Sequence, residues 1–159
     1  ILGYIIDQPL TSQKVFDYLN KQIFFLKKIN IKNIVLPLFA KSNFNKKNLY
    51  FKKLKIIINY IQKHNMNVVI ESNCSYNEFL SIQKLSKKRI FFCFDIGNRY
   101  IFSKNLYTDL KKFKKKILIV HIKNKDKFNK SVKLSKGLVN IDDLLNKIRS
   151  KMFFLLLKI

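Results

Sequence analysis

The sequence predicts an α/β fold, a parallel sheet whose strands alternate with helices. Three observations carry that expectation. Short apolar runs recur along the chain, each followed by a segment with helical spacing. One of these runs, Ile90–Phe94, is apolar throughout, as a strand covered on both faces must be. Three consecutive runs also end at Glu71, Asp95 and His121, the kind of side chains that such folds hold at strand ends.

Taken in order, Leu2–Ile6 (LGYII) reads as the first strand, closed by Asp7 and the turn-like Gln8-Pro9. Thr11 or Ser12 can cap the helix that follows. Its Val15, Leu19, Ile23 and Leu26 recur at helical spacing with lysines between them. Asn33–Leu38 (NIVLPL) is the second strand, and its Pro37 suits a strand terminus. After the polar loop Phe39–Lys47 comes a helix over Leu49–His64, carrying Leu54, Ile57, Ile58 and Ile61.

Met66–Ile70 is the third strand and ends in Glu71. Ser75 with Glu78 three residues later is a capping box, which starts a helix over Tyr76–Lys87. The fourth strand, Ile90–Phe94, runs into Asp95, with Gly97 and Asn98 in the turn behind it. A weaker, lysine-loaded helix covers Leu106–Lys114, and Ile117–Ile122 (ILIVHI) is the fifth strand, carrying His121. Lys123–Leu138 reads as a long basic loop containing Gly137. Asn140 caps a helix over Ile141–Ser150, whose Asp142 and Asp143 suit the positive end of the helix dipole. Phe153–Leu157 is the sixth strand.

Strict alternation with short connections implies right-handed crossovers and parallel strands. An open doubly wound sheet and an incomplete (β/α)8 barrel both fit. No Gly-rich phosphate fingerprint follows any strand, which disfavours a dinucleotide-binding domain. A complete barrel takes about 250 residues. Six strands in 159 residues are therefore expected to be one partial barrel domain lacking about two units, in keeping with a chain that starts at Ile1 and stops inside an apolar run.

Composition excludes several classes. Hydrophobic residues make up 48% and aromatics 14%, too much for a disordered chain. No apolar run approaches the roughly 18 residues of a membrane span, and no secretory leader is evident, so the expected location is the cytoplasm. Cys74 and Cys93 are too few for a disulfide framework and read as reduced thiols. The net charge of +24 raises the question of nucleic acid. The excess is almost all lysine, with arginine only at Arg89, Arg99 and Arg149, whereas base and phosphate recognition favours arginine forks. Lys, Asn, Ile, Phe and Tyr are also the residues of AT-rich codons, so drift on solvated helix faces accounts for the charge.

Glu71, Asp95 and His121 are 24 and 26 residues apart, each about one β-α unit. In a barrel, consecutive strand ends converge on one rim, so these side chains can share a site. Two carboxylates and an imidazole suit Mn2+, Co2+, Mg2+ or Zn2+ and not a thiolate site. Such an ion could polarise a carbonyl or hold an enediolate. Taken singly, each residue has a plain alternative: a helix-capping acid for Glu71 or Asp95, a hydrogen-bonded core histidine for His121.

The ordered segments VVIESN, FDIGN, VHIKNKD and SVKLSKG resemble the xylose-isomerase-like TIM barrels, specifically the sugar phosphate isomerase/epimerase group. In that group a Glu ends strand five, an Asp ends strand six, a His sits in an HxKD-type segment of strand seven, and an LGxG-type turn follows. The resemblance runs from about Asn33 to Ile159 and covers the chain as strands three to eight. It implies a divalent-metal enzyme that moves a proton next to a sugar carbonyl. Glu71, Asp95 and His121 match the metal ligands, and Glu71 also matches one of two acid-base groups. Asn98, Lys123 and Lys158 fall around the substrate, a sugar or sugar phosphate, and a homo-oligomer is an open expectation.

The chain departs from that pattern at four places. Lys158 stands where the group places a Glu, the fourth ligand and second acid-base residue, although some relatives carry Gln there. Asn98 stands for a His, Asn124 for the acid of the KD pair, and Ser135 for the first Gly of the turn. One alternative is therefore a non-catalytic or degenerate carbohydrate-binding barrel fragment. Another is an endonuclease-IV-like enzyme acting on abasic DNA, which needs more histidines than His64 and His121.

Overall fold

In the computed structural model, the described residues are 9, 12–39, 48–103, 105–148 and 154–157. The expected first strand, Leu2–Ile6, lies outside them, as does Lys158. The chain forms two compact units, Ile1–Phe91 and Phe92–Ile159.

In the first unit, α1 (Gln13–Lys28) turns Val15, Leu19, Ile23 and Leu26 inward, the stripe that its spacing requires. Ser12 holds the N-cap position, but its side chain makes no capping bond. The helix stops at Asn30, whose φ is 55°, and the Ile31 N–H reaches back to the Leu26 carbonyl at 3.0 Å. Asparagine is among the few side chains that enter this left-handed region at low cost.

β1 (Asn33–Leu38) pairs in parallel with β2 (Asn67–Ser72), in register from Asn33 with Asn67 to Leu38 with Ser72. Between them in sequence, α2 (Asn48–Lys63) buries Leu54, Ile57, Ile58 and Ile61. α3 (Tyr76–Gln83) opens on the expected capping box: the Ser75 hydroxyl accepts from the Glu78 N–H, and the Glu78 carboxylate accepts from the Ser75 N–H at 2.8 Å. The helix ends at Gln83 and not at Lys87. Ser86 explains the shortening, because its hydroxyl accepts from the Lys88 N–H at 3.1 Å and offers the backbone a non-helical partner.

The second unit opens on β3 (Phe91–Asp95), all but the first residue of which belongs to it, and β3 runs directly into α4 (Ile96–Ser103). The turn expected at Gly97 and Asn98 is thus the first turn of a helix. Its cause is Asp95, whose Oδ1 accepts from the Asn98 N–H at 2.9 Å, so the last strand residue caps the helix. α5 (Leu106–Phe113) follows, its first turn held by Asn105, which accepts from the Thr108 N–H at 3.4 Å. The Phe92 and Phe113 rings pack with centroids 4.2 Å apart, and Arg99 lies buried beside them, its Nε 2.7 Å from Asp109.

β4 (Ile117–Ile122) pairs in parallel with β3. The stretch read as a bare basic loop holds a small antiparallel ribbon, β5 (Asn124–Lys125) with β6 (Ser131–Val132), and a 3-10 turn at Leu134–Lys136. Asn140 caps α6 (Ile141–Ile148) by accepting from the Asp143 N–H at 3.1 Å. β7 (Phe154–Leu157) then returns to pair in parallel with β4. Five of the six expected strands are thus seen as parallel strands among the described residues. No helix among them is long and apolar enough to cross a membrane.

Candidate functional site

In the second unit the register of β3 and β4 puts Asp95 opposite His121 at the carboxyl ends of both strands. Both side chains are buried, Asp95 at 4% and His121 at 5% exposure. The His121 Nδ1 lies 3.9 Å from Asp95 Oδ2, outside hydrogen-bond range and within reach of a shared cation. Lys123, just past the end of β4, brings its Nζ to 2.8 Å from the same oxygen. The two oxygens of Asp95 are therefore divided: Oδ1 takes the α4 amide and Oδ2 faces a cation.

Gly97 makes this approach feasible. A methyl group at that position would lie 3.0 Å from Lys123 Cγ and 3.2 Å from the Lys123 carbonyl oxygen. Lys125 enters the same region from β5, and burial, followed by the Lys123 ammonium, holds its amine below the ordinary lysine value, against the pull of Asp95. Its Nζ donates to the Asn129 carbonyl at 3.3 Å. Asn98, expected beside the substrate, is half-buried in the first turn of α4 and contributes its main-chain N–H to Asp95.

Asn124 has a structural task that its position in the KD-type segment did not reveal. It is fully buried, donates to the Leu134 and Val139 carbonyls at 2.7 Å each, and accepts from the Val139 N–H at 3.1 Å and the Lys125 N–H at 3.0 Å. A Cβ at Gly137 would sit 2.0 Å from Asn124 Cγ. The amide thus clamps the ribbon to the segment before α6, and the glycine leaves it room. Ser135, on the 3-10 turn, is exposed.

Cys93 is the neighbour that the sequence reading passed over. It lies two residues before Asp95 on β3, is buried, and forms no disulfide among the described residues. A ligand nitrogen of His121 and the Cys93 sulfur lie within 4.8 Å of each other. The signal was the period-two alternation of a strand, which sends Cys93 and Asp95 to the same face. In the first unit, Glu71 is the penultimate residue of β2, opposite Pro37, and is buried at 6% exposure. Lys158 lies outside the described residues.

A divalent cation fits the donors in the second unit on chemical grounds. A buried carboxylate oxygen already faces an ammonium, so positive charge is accommodated there, and an imidazole nitrogen stands nearby. Oxygen and nitrogen donors suit Mg2+, Mn2+ and Zn2+; the adjacent thiol adds a soft donor that favours zinc over magnesium.

No family model matches the chain, and no curated protein matches it either. Solved structures do. The probable 3-DHS dehydratase AsbF from Bacillus anthracis is 15% identical with a TM-score of 0.74, over 97% of this chain and 67% of its own. A xylose isomerase-like TIM barrel protein from Mycobacterium smegmatis, in complex with magnesium, is 10% identical with a TM-score of 0.66, over 92% of this chain and 60% of its own. The IolI protein with a bound zinc atom is 13% identical with a TM-score of 0.65, over 91% of this chain and 60% of its own. The chain therefore spans between 60% and 67% of the lengths of these neighbours. At such identities the likeness concerns the fold alone: this chain folds as part of a TIM barrel.

Proposed function

We propose that the protein is a divalent-metal-dependent sugar or sugar phosphate isomerase or epimerase, with Glu71, Asp95 and His121 as metal ligands. The observation that carries this reading is the Asp95 and His121 pair, buried in register at two strand ends and facing a cation. An ion held there would act as a Lewis acid on the substrate carbonyl. Asp95 fixes one oxygen on the α4 amide and keeps the other for positive charge. Glu71, a buried carboxylate at the end of β2, takes the proton from the carbon next to the carbonyl and returns it. Lys123, and with it Asn98, then meets the hydroxyl or phosphate oxygens of the substrate. Lys158 belongs to the same substrate set in this reading. A small-molecule substrate, a cytoplasmic setting that keeps Cys74 and Cys93 reduced, and neither nucleic acid nor membrane as a partner complete it. Support comes from the fold neighbours, among which one structure holds zinc, one holds magnesium and one is a probable dehydratase.

The test is isotope exchange. The protein, loaded with Mn2+, is incubated in D2O with a panel of ketose and aldose phosphates, and solvent deuterium entering the carbon next to the carbonyl is read by NMR. Exchange is expected with at least one substrate and is expected to vanish in Glu71→Gln. Exchange that persists in Glu71→Gln would remove Glu71 from the acid-base role.

A second reading has its own observation. The ammonium of Lys123 at 2.8 Å already neutralises Asp95, as it would in a barrel that binds carbohydrate without turning it over. Sugar binding that is unchanged by chelators, with no deuterium exchange under any metal, would favour that reading.

A further inference from the structure

The first unit carries a second feature, at the other end of its strands. The carboxyl-terminal part of α2 and the segment after α3 line an open cleft of about 610 Å³. Because α2 leads into the amino-terminal end of β2, this cleft lies at the opposite end of that strand from Glu71. Five of its nine lining residues are lysines: Lys55 and Lys63 on one side, Lys84, Lys87 and Lys88 on the other. None of the nine is acidic. Lys and Arg together make up 33 of the 159 residues, so general basicity alone does not place five around one concavity.

A solvated basic face would be the bland account, and two details argue against it. Lys88 donates to the Gln62 carbonyl at 3.0 Å, so one ammonium is used to finish the end of α2. Lys55, Lys63, Lys84 and Lys87 make no ion pair among the described residues. Beneath them lies Gln62, only 5% exposed. Its Oε1 accepts from the Ser86 hydroxyl at 2.5 Å, a separation that suits an O–H···O bond and is too short for the N–H···O bond a flipped amide would make. That fixes the amide orientation and leaves Nε2 as a buried donor with no partner among the described residues, which folded proteins rarely tolerate.

We propose that this cleft is a binding site for a small, multiply charged phosphate anion, held by Lys55, Lys63, Lys84 and Lys87 with the Gln62 amide as the directed neutral donor. The volume lies in the range of small-ligand sites, roughly 300–1,000 Å³. Lysines bind phosphate groups as movable point charges, and four of them around one concavity suit an anion that carries several charges. The lining holds neither arginine nor an aromatic ring, so it lacks the groups that read base edges or stack on single strands. The site does not depend on the metal-site reading.

The experiment is calorimetric titration of the protein with inorganic tripolyphosphate at about 0.15 M salt, where loose surface pairing is screened. Saturable binding of one equivalent is expected. The Lys63→Met, Lys84→Met, Lys87→Met triple variant should weaken it by roughly tenfold or more, while a Lys14→Met, Lys21→Met, Lys111→Met triple of equal charge should change it less than about twofold. Gln62→Met, which leaves the charge intact, should weaken it by about threefold or more. Equal losses in both triples, or no saturable binding by the unaltered protein, overturns the proposal. So does a duplex DNA of similar charge that binds more tightly and loses affinity equally in both triples, since that result assigns the charge to a nucleic-acid surface.

Discussion

Lys123 Nζ lies 2.8 Å from Asp95 Oδ2, the oxygen that also looks toward His121 Nδ1 at 3.9 Å. The same carboxylate is thus claimed by a fixed cation and offered to an exchangeable one. Removing the fixed cation should have two opposite effects. Lys123→Met should lower stability by about 1–3 kcal/mol, because a buried carboxylate loses its partner; the figure is kept low since the lysine is partly exposed. The same variant should raise divalent-ion affinity several-fold, read by calorimetry with Mn2+. A fall in affinity would mean that the lysine orients Asp95 for the metal and does not compete with it.

Asn124 gives a second prediction. Asn124→Asp restores the acid of the KD-type segment but points a carboxylate at the Leu134 and Val139 carbonyls. It should destabilise the protein more than Asn124→Ala, which should itself cost about 2–4 kcal/mol for several lost buried hydrogen bonds. Urea unfolding of the two variants decides the order. If the aspartate is the milder change, the clamp is not what holds this asparagine in place.

Gly97 should be equally intolerant, for a different reason. A methyl there meets the Lys123 backbone as well as its side chain, so Gly97→Ala should push β5 away from α4 and loosen the Asp95–Lys123 pair. The expected readout is weaker protection of the Lys123 and Lys125 amides in hydrogen exchange, with the α1 amides unchanged. Uniform loss across the chain would instead indicate general destabilisation.

The second unit also carries a pH-sensitive tie. The Tyr107 hydroxyl donates to Asp143 on α6, and Lys147 pairs with the same carboxylate at 2.9 Å. The Tyr107 hydrogen bond and then Lys147 hold Asp143 below the usual carboxylate range, while Asp143 raises the Tyr107 phenol. A depressed carboxylate contributes stability above its unfolded value, about 4, that is lost as pH falls through the folded value. A raised phenol contributes below its unfolded value, about 10, and loses that contribution as pH rises further. Tyr107→Phe should therefore flatten both limbs of the stability–pH curve. A curve unchanged at both ends would show that the tie is too solvated to matter.

These predictions rest on features of unequal legibility. The bounds of β1 and β4 and the capping box at Ser75 and Glu78 could be read from the sequence, because strand runs and caps are local patterns. α4 could not, since Gly97 and Asn98 resemble a turn and only the Asp95 cap makes them helical. The placement of Asp95 and His121 at neighbouring strand ends was also legible, because strand ends recur at regular intervals. Cys93 could have been added by strand alternation, which puts it on the face of Asp95; the Lys123 contact and the Asn124 clamp depend on which side chains meet across strands and ribbons, and chain spacing does not carry that information. Leu2–Ile6 and Lys158 lie outside the described residues.

The proposed site, in which Asp95, His121 and Glu71 hold one divalent ion, is tested by a Zn2+ and Mn2+ titration of the protein beside its Asp95→Asn, His121→Ala and Glu71→Gln variants. Saturable binding of one equivalent by the unaltered protein is expected, weakened by roughly tenfold or more in each variant while circular dichroism shows the fold retained. Saturable binding that is indifferent to all three substitutions, or no saturable binding of either ion, would contradict it.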